Sequence, residues 1–358
     1  MKYSSGWLIF FFCASCVDGK TGIVRVACIG ASITAGATLD NPSADAYPAQ
    51  MQKMLGGKYQ VMNFGVSGTT MLRKGDLSYW NAPAYQKALQ SMPEIVFIDL
   101  GGNDSKLINR VHLGDFEKDC HALIRSFAQL PTHPRIVLLL PLPCFLKDTT
   151  QINDQVIVSQ IIPDLQRVAY DNNLEVLDMH SLFVDKESGM PDKIHPDRSG
   201  SRLIAERLFH LIEQTGDWQF DIFPAIHSDV KQDSFYGYAC ADFTLDGREC
   251  KLVKPKWTAA GRPWIWRARF WGHEPQTDIA LLERGFHLVY CDVAELFGNE
   301  EAVRRWNDFY QLRRRVGLAQ KAVLEGMSRR PVYAFNWSAV NPAKVSCAYL
   351  DNPLQIGR

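Results

Sequence analysis

The sequence has 358 residues, which is long for one domain and comfortable for two. Hydrophobic residues make up 46% of the chain and charged residues 22%, as in a globular protein with a sizeable core. Lys and Arg together number 39, as do Asp and Glu, so the formal net charge is zero. This balance gives no support for a nucleic-acid or anionic-membrane partner, and the function has to be inferred from local motifs.

The first residues have the pattern of a secretory signal peptide. Lys2 precedes an apolar run at residues 7–12, and small residues follow up to Cys16. The run is far shorter than the ~20 residues that a membrane-spanning helix needs. We therefore predict a signal peptide over residues 1–16 and a protein that is secreted or periplasmic. A buried N-terminal strand is one alternative. Lipidation of Cys16, which would anchor the protein at the cell surface, is another.

From residue 21 onwards, short apolar runs alternate with segments whose apolar residues have helical spacing. The runs predict strands at residues 23–29, 59–63, 95–100, 136–140 and 174–177. The spacing predicts a helix over residues 116–130. It predicts another with its apolar face at residues 203–212, which starts after a plausible N-cap at residues 196–197. Alternating strands and helices indicate a parallel sheet that is covered on both faces. We interpret residues 21–217 as one doubly wound α/β domain.

The second half of the chain predicts a further α/β unit. Residues 218–247 are rich in aromatic and turn residues, and we interpret them as a linker. Strands are predicted after it at residues 263–270, 286–291, 321–327 and 344–350, with a helix at residues 300–315. The second domain is therefore predicted to cover residues 248–358.

Four short motifs of the first domain fall in loops next to predicted strands or helices, where open α/β sheets place their ligands. Residues 30–34, Gly-Ala-Ser-Ile-Thr, follow the first strand, and their glycine permits a sharp turn that exposes the serine hydroxyl. A glycine block at residues 63–68 follows the second strand, and Gly-Gly-Asn-Asp at residues 101–104 follows the third. Residues 192–196, Asp-Lys-Ile-His-Pro, precede the last helix.

These motifs supply the parts that acyl transfer needs: a nucleophile, a base, an orienting group for the base and donors for an oxyanion. Ser32 is the candidate nucleophile, His195 the candidate base, and Asp192 the group that orients it. The backbone N–H groups of Ser32 and Gly65 and the side-chain amide of Asn103 are the candidate oxyanion hole. Each motif alone has a structural alternative, such as a helix N-cap for the serine or a turn for the asparagine. Their occurrence together favours the catalytic interpretation.

In this order the motifs resemble those of SGNH hydrolases, also called GDSL-like esterases. The resemblance covers residues 21–217, in which Ser32, Gly65, Asn103 and His195 match the four name-giving positions. It implies that Asp192 completes the triad. It also implies a flavodoxin-like fold with a five-stranded parallel sheet and helices on both faces, and no metal or organic cofactor.

Within this family, residues 47–49, the glycine block and the long connection at residues 103–116 resemble bacterial carbohydrate esterases related to sialate O-acetylesterase. That resemblance implies an acylated carbohydrate as substrate and removal of its O-acetyl groups. Trp80 and Tyr85 could stack on a sugar ring or pack between helix and sheet. Two other classes stay open: a non-catalytic carbohydrate-binding surface protein with an idle site, and a lipase or thioesterase of the same family.

The second domain carries a different resemblance. Residues 325–329, Glu-Gly-Met-Ser-Arg, follow a predicted strand and precede a helix, as a nucleophile elbow does. With residues 264–272 and 334–337 they resemble the front half of an α/β-hydrolase. Arg330 stands where such an elbow needs a small residue, and no histidine follows Ser328. We therefore predict a partial, truncated α/β-hydrolase-like unit that is inactive, and expect residues 21–217 to carry all of the esterase activity.

Overall fold

The structure is a computed structural model that describes residues 22–226, 229–294, 296, 298–327 and 331–351. The predicted signal peptide, Cys16 and Ser328 lie outside these residues. The strands are Val24–Gly30 (β1), Tyr59–Gly65 (β2), Ile95–Asp99 (β3), Arg135–Leu139 (β4), Glu175–Leu177 (β5), Gly216–Asp217 (β6), Lys231–Phe235 (β7), Tyr238–Leu245 (β8), Arg248–Val253 (β9), Thr258–Ala259 (β10), Trp264–Arg267 (β11), His287–Cys291 (β12), Ala322–Met327 (β13) and Val345–Asp351 (β14). The α-helices are Ser32–Ala35 (α1), Pro42–Asp45 (α2), Tyr47–Leu55 (α3), Pro83–Gln90 (α4), Leu107–Arg110 (α5), Phe116–Ala128 (α6), Asp154–Val156 (α7), Ile162–Asp171 (α8), Met179–Phe183 (α9), Arg198–Glu213 (α10), Gln276–Leu282 (α11), Glu300–Val316 (α12) and Pro331–Val340 (α13).

The first domain is built on a five-stranded sheet in the order β2-β1-β3-β4-β5, and all its neighbouring strands are parallel. The central strand β3 is buried along its whole length because helices cover both faces of the sheet. One face packs against α3 and α10, and the other packs against α4, α6 and α8. This arrangement confirms the predicted flavodoxin-like sheet.

The predicted elements of the first domain lie close to the observed ones. The apolar residues of α6 face the sheet and are buried, as their helical spacing predicts. Helix α10 begins directly after the N-cap predicted at residues 196–197, because Asp197 caps it by accepting the Gly200 N–H at 2.8 Å. In the parts of the chain that the structure describes, no helix is long and apolar enough to cross a membrane.

The second domain is built on a seven-stranded sheet in the order β14-β13-β11-β12-β9-β8-β7. Strands β14, β13, β11 and β12 run parallel to one another, whereas β12, β9, β8 and β7 pair in antiparallel fashion. The segment interpreted as a linker, residues 218–247, therefore contains two strands of this sheet, β7 and β8. The apolar pattern did not indicate β7 because it is an edge strand of mostly exposed polar residues. The domain boundaries stay a prediction.

A group of buried tryptophans forms the core between the second sheet and its helices. Trp266 on β11 stacks on Trp306 of α12 with ring centroids 4.3 Å apart, and Trp264 and Trp337 lie beside them. Helix α12 is capped by Asn299, whose side chain accepts the Ala302 N–H at 3.0 Å. The resemblance of this domain to the front half of an α/β-hydrolase stays a prediction.

The two domains share one apolar core. Buried residues of α8 and β5 pack in the same cluster as residues of β8, β9, β11 and β12. Polar contacts accompany this packing: the Tyr238 hydroxyl donates to Val176 O at 3.4 Å, and Glu283 forms an ion pair with Arg207. The Asp178 N–H donates to Glu283 Oε1 at 2.9 Å. The second sheet thus covers apolar surface that the first domain would otherwise expose.

Candidate active site

Ser32 lies at the turn from β1 into the short helix α1. A Cβ atom on Gly30 would lie 2.0 Å from Thr34 Oγ1 and 2.9 Å from Asp99 O, so glycine is needed where the strand ends. The Thr34 hydroxyl donates to Asp99 Oδ2 at 2.9 Å, which ties α1 to the end of β3. Burial raises the pKa of Asp99 to about 6, although the Thr34 hydrogen bond lowers it. The serine is therefore presented from a fixed turn.

Three of the predicted site residues form a hydrogen-bonded line. His195 Nε2 lies 2.7 Å from Ser32 Oγ, and His195 Nδ1 lies 2.6 Å from Asp192 Oδ2. Asp192 Oδ1 accepts the N–H groups of His195 at 2.7 Å and of Ile194 at 3.1 Å, so the loop backbone fixes the carboxylate. Serine and histidine are 163 positions apart in the chain. This geometry allows a histidine to take the proton of a serine hydroxyl while a carboxylate stabilises the charged ring.

The charge of Asp192 is favoured by its neighbours. Partial burial raises the pKa of its carboxyl, but hydrogen bonds from the His195 ring and from the N–H groups of His195 and Ile194 outweigh burial and hold the pKa below its ordinary value. Lys193, in the same loop, has a φ of +69°, a region that residues other than glycine rarely adopt. The loop therefore carries local backbone strain between the acid and the base.

Asn103 lies in the turn that follows β3 and is 5% exposed. Its side-chain Nδ2 donates to Thr69 O at 3.1 Å. Its backbone carbonyl accepts a hydrogen bond from Asn109 Nδ2 at 2.9 Å. An amide nitrogen carries two protons, so Asn103 has a second one to offer to a ligand. The Ser32 N–H is also suited to this task, because the first N–H groups of a helix have no partner within the helix.

Gly65 does not match the predicted role so well. Its N–H donates to Asn63 Oδ1 at 2.9 Å, so this predicted oxyanion donor is already engaged. A Cβ atom on Gly65 would lie 2.3 Å from Ala35 N, which gives the glycine a packing reason. The backbone next to the Asn103 amide belongs instead to Thr69, which follows Gly68. Gly68, with φ +83°, is a further glycine of the same block, and it had no predicted role.

Asp104 connects two loops of the site, a role that the sequence pattern did not predict. It is fully buried, and its carboxylate accepts the N–H groups of Met71 at 3.0 Å and Leu72 at 2.8 Å. Burial raises the pKa of Asp104 to about 7, although these hydrogen bonds lower it. Asp104 thereby fixes the loop after β2 against the turn that carries Asn103.

A small cavity of about 40 Å³ opens beside Ser32. Asn103, Ile152, Ile194 and residues 141–144 contribute to its walls. Since one water needs roughly 10–15 Å³ in this measure, the cavity has room for only a few atoms. An acetyl group fits such a space, whereas a long acyl chain does not. A larger cavity of about 600 Å³ lies along α10 and α11, and its walls include none of the three aligned residues.

Trp80 and Tyr85, the two aromatic residues that could stack on a sugar ring, pack against each other. Tyr85 is buried and lies edge-on to Trp80, with ring centroids 5.2 Å apart. The Arg73 guanidinium covers the Trp80 ring at 3.7 Å from its centroid. Of the two interpretations of this pair, the structure agrees with packing between helix and sheet.

Residues 28–203 match the GDSL-like Lipase/Acylhydrolase family. The match includes all the site residues described above, so this part of the chain is similar to that family over the whole candidate site. The predicted resemblance to SGNH hydrolases is thereby confirmed.

Individual relatives match about half of the chain. An acetylxylan esterase of Xylanibacter ruminicola is 40% identical over 205 residues, which are 52% of this chain and 42% of that protein. The chain thus spans less than half the length of this curated relative. A solved carbohydrate acetylesterase family member from Sinorhizobium meliloti is 20% identical, and the match covers 53% of this chain and 97% of that one, with a TM-score of 0.44. The native aryl esterase of M. smegmatis is 17% identical, and the match covers 53% of this chain and 98% of that one, with a TM-score of 0.44.

Proposed function

We propose that this protein is a serine esterase that removes O-acetyl groups from carbohydrate. Ser32 is the nucleophile, His195 the general base and Asp192 the acid that orients and stabilises the histidine. The observation that carries the proposal is the line from Ser32 Oγ to His195 Nε2 at 2.7 Å and from His195 Nδ1 to Asp192 Oδ2 at 2.6 Å. The small cavity beside Ser32 supports acetyl as the acyl group.

The reaction proceeds in two halves. Ser32 Oγ attacks the carbonyl carbon of the ester while His195 Nε2 accepts its proton, and the histidine then gives this proton to the departing sugar oxygen. A water molecule attacks the acetyl-enzyme with the help of the same base and releases acetate. The ionised Asp192 stabilises the charged imidazole in both halves.

The oxyanion of each tetrahedral intermediate is stabilised by the Ser32 N–H, by the second Nδ2 proton of Asn103 and by a backbone N–H of the glycine block. The motif predicts Gly65 as this last donor, but the Gly65 N–H is used by Asn63. We assign the donor instead to Gly68, because Asn103 Nδ2 contacts the neighbouring Thr69 O at 3.1 Å.

Acetylated xylan is the substrate that the comparisons favour, since the 40% identical relative is named an acetylxylan esterase. The similarity to sialate O-acetylesterase stays a prediction about the sugar. A polysaccharide substrate agrees with the predicted signal peptide, and we propose that the protein is secreted or periplasmic.

Release of free acetate from acetylated xylan and from O-acetylated sialic acid tests the proposal. The wild-type protein is expected to release acetate, and Ser32→Ala is expected to lose this activity, since loss of the nucleophile of a serine hydrolase costs on the order of 10⁶ in kcat. Ser43→Ala removes an exposed serine of α2 and serves as the control. Binding of glycan without acetate release would favour the non-catalytic alternative, and faster hydrolysis of long-chain esters would favour a lipase or thioesterase.

A further inference from the structure

The wall of the cavity beside Ser32, residues 141–144, is held by a carboxylate outside the triad. Asp154 Oδ1 accepts the Cys144 N–H at 3.0 Å, and Cys144 Sγ donates to Ile152 O at 3.2 Å. The wall has the sequence Pro-Leu-Pro-Cys, and proline has no N–H. Cys144 therefore supplies one of only two backbone donors in the wall. Loss of its acceptor would leave the wall with few fixed contacts.

Asp154 is itself held from two sides. His180 on α9 donates from Nε2 to Asp154 Oδ1 at 3.0 Å. The preceding Asn153 donates its N–H to Ser105 Oγ at 2.9 Å, next to the turn that carries Asn103. Partial burial raises the pKa of Asp154, but the hydrogen bonds from His180 and from the Cys144 N–H outweigh it and keep the pKa below its ordinary value. Asp154 is thus an ionised acceptor in a fixed position.

The wall also contacts the loop that carries the triad. The Phe145 N–H donates to Lys193 O at 2.9 Å, and Ile194 of the same loop also lines the cavity. A shift of Cys144 would therefore change the size of the cavity and also the position of the loop between Asp192 and His195.

We propose that Asp154 is a positioning residue that restricts the cavity to acetyl by holding Cys144. The inference rests on the proposed esterase function, and it assigns Asp154 no contact with the substrate. His180 acts one step further out by fixing the carboxylate. Helix α9, which carries this histidine, is capped by Asp178, whose N–H donates to Glu283 Oε1 of the second domain. The second domain thereby contributes to the support of the wall.

The test compares kcat/KM for p-nitrophenyl acetate and p-nitrophenyl butyrate, which share a leaving group and differ only in acyl length. Asp154→Ala is expected to raise the butyrate-to-acetate ratio by about tenfold, the lower end of what room for a methylene is worth in an apolar pocket. Asp154→Asn keeps an oxygen for the Cys144 N–H and is expected to restore a ratio close to that of the wild type.

Asp171→Ala is the matched control, because Asp171 also faces a histidine, His121 at 3.7 Å, but lies at the C-terminal end of α8 and outside the wall. His180→Gln leaves Asp154 in place and is expected to raise the ratio less than Asp154→Ala does, so it tests the inference even if Asp154→Ala does not fold. An unchanged butyrate-to-acetate ratio in folded Asp154→Ala would overturn the inference and leave the esterase function intact. If Asp154→Ala does not fold, an unchanged ratio in His180→Gln would do the same. A wild-type protein that hydrolyses neither ester would overturn both.

Discussion

Replacing Asn103 with Ala removes one oxyanion donor and tests the assigned hole directly. The side chain is almost fully buried and donates one Nδ2 proton to Thr69 O at 3.1 Å, which leaves its second proton for the oxyanion. Loss of such a donor lowers kcat by roughly 10²–10³-fold, or about 2.7–4 kcal/mol of transition-state stabilisation. KM is expected to change little, because the neutral ester carbonyl needs this donor less than the charged intermediate does.

The same change has a structural cost that must be measured separately. It leaves the buried Thr69 carbonyl without the amide, which costs about 1–3 kcal/mol of unfolding free energy. Kinetics with p-nitrophenyl acetate are therefore run well below the unfolding temperature of the variant. Asn172→Ala, which removes an amide that donates to Val168 O at 2.7 Å, is the control for this structural cost and should keep its kcat.

Asn103→Asp sharpens the test because it preserves shape and replaces the donor with a carboxylate. An anion facing an oxyanion is repulsive, so kcat should fall at least as far as in Asn103→Ala. A loss confined to KM in both variants would make Asn103 a substrate-positioning residue and refute the assigned hole.

Three further predictions concern the glycine block, the domain contact and the shared core. Gly65→Ala is expected to destabilise the fold, since its Cβ would lie 2.3 Å from Ala35 N. At Gly68 the φ of +83° is strained for alanine, so Gly68→Ala should cost some stability and also lower kcat by shifting the N–H that faces the oxyanion. Thermal unfolding and kinetics of both variants separate the two roles, and a Gly65→Ala protein that folds normally but has lost its kcat would restore the original assignment. Burial raises the pKa of Glu283 from 4.5 to about 7. Between these two pH values the native state therefore binds more protons than the unfolded state, so the free energy of unfolding should fall as the pH rises from one to the other. Glu283→Gln should remove that part of the pH dependence in urea unfolding across the same pH range, and an unchanged slope would contradict the shift. A chain that ends at residue 217 would expose the apolar residues of α8 and β5 to water, so it should aggregate or bind a hydrophobic dye. A soluble, cooperatively folding product would show that the core shared by the two domains is dispensable.

The first sheet and the triad could be predicted because local patterns determine them. Each parallel strand is a short apolar run, and Ser32, Asp192 and His195 lie in motifs next to these strands or the last helix, so the topology alone brings them together. Strand β7 could not be predicted in this way, because an edge strand pairs through its backbone and needs no apolar pattern. The core shared by the two domains was not predicted either. The sequence of residues 21–217 shows which residues are apolar but not which of them the second domain covers.

The supporting residues of the site escaped prediction for a related reason. Asp104 accepts the N–H of Met71, which is 33 positions away in the chain, and Asp154 accepts the N–H of Cys144, which is 10 positions away. No spacing in the sequence shows which of these loops contact each other. The glycine block predicts Gly65 as the donor, and its sequence does not show which backbone N–H groups of the block are used by other side chains. Only the hydrogen bond from the Gly65 N–H to Asn63 and the contact of Asn103 beside Gly68 distinguish the two glycines.

Labelling with a fluorophosphonate probe, followed by mass spectrometry of the labelled peptide, tests the central claim most directly. The probe reacts covalently with a serine that an adjacent base activates. We expect label on Ser32 in the wild-type protein and its loss in Ser32→Ala. Label retained in Ser32→Ala, or attached to a different serine in the wild-type protein, would contradict the assignment of the nucleophile.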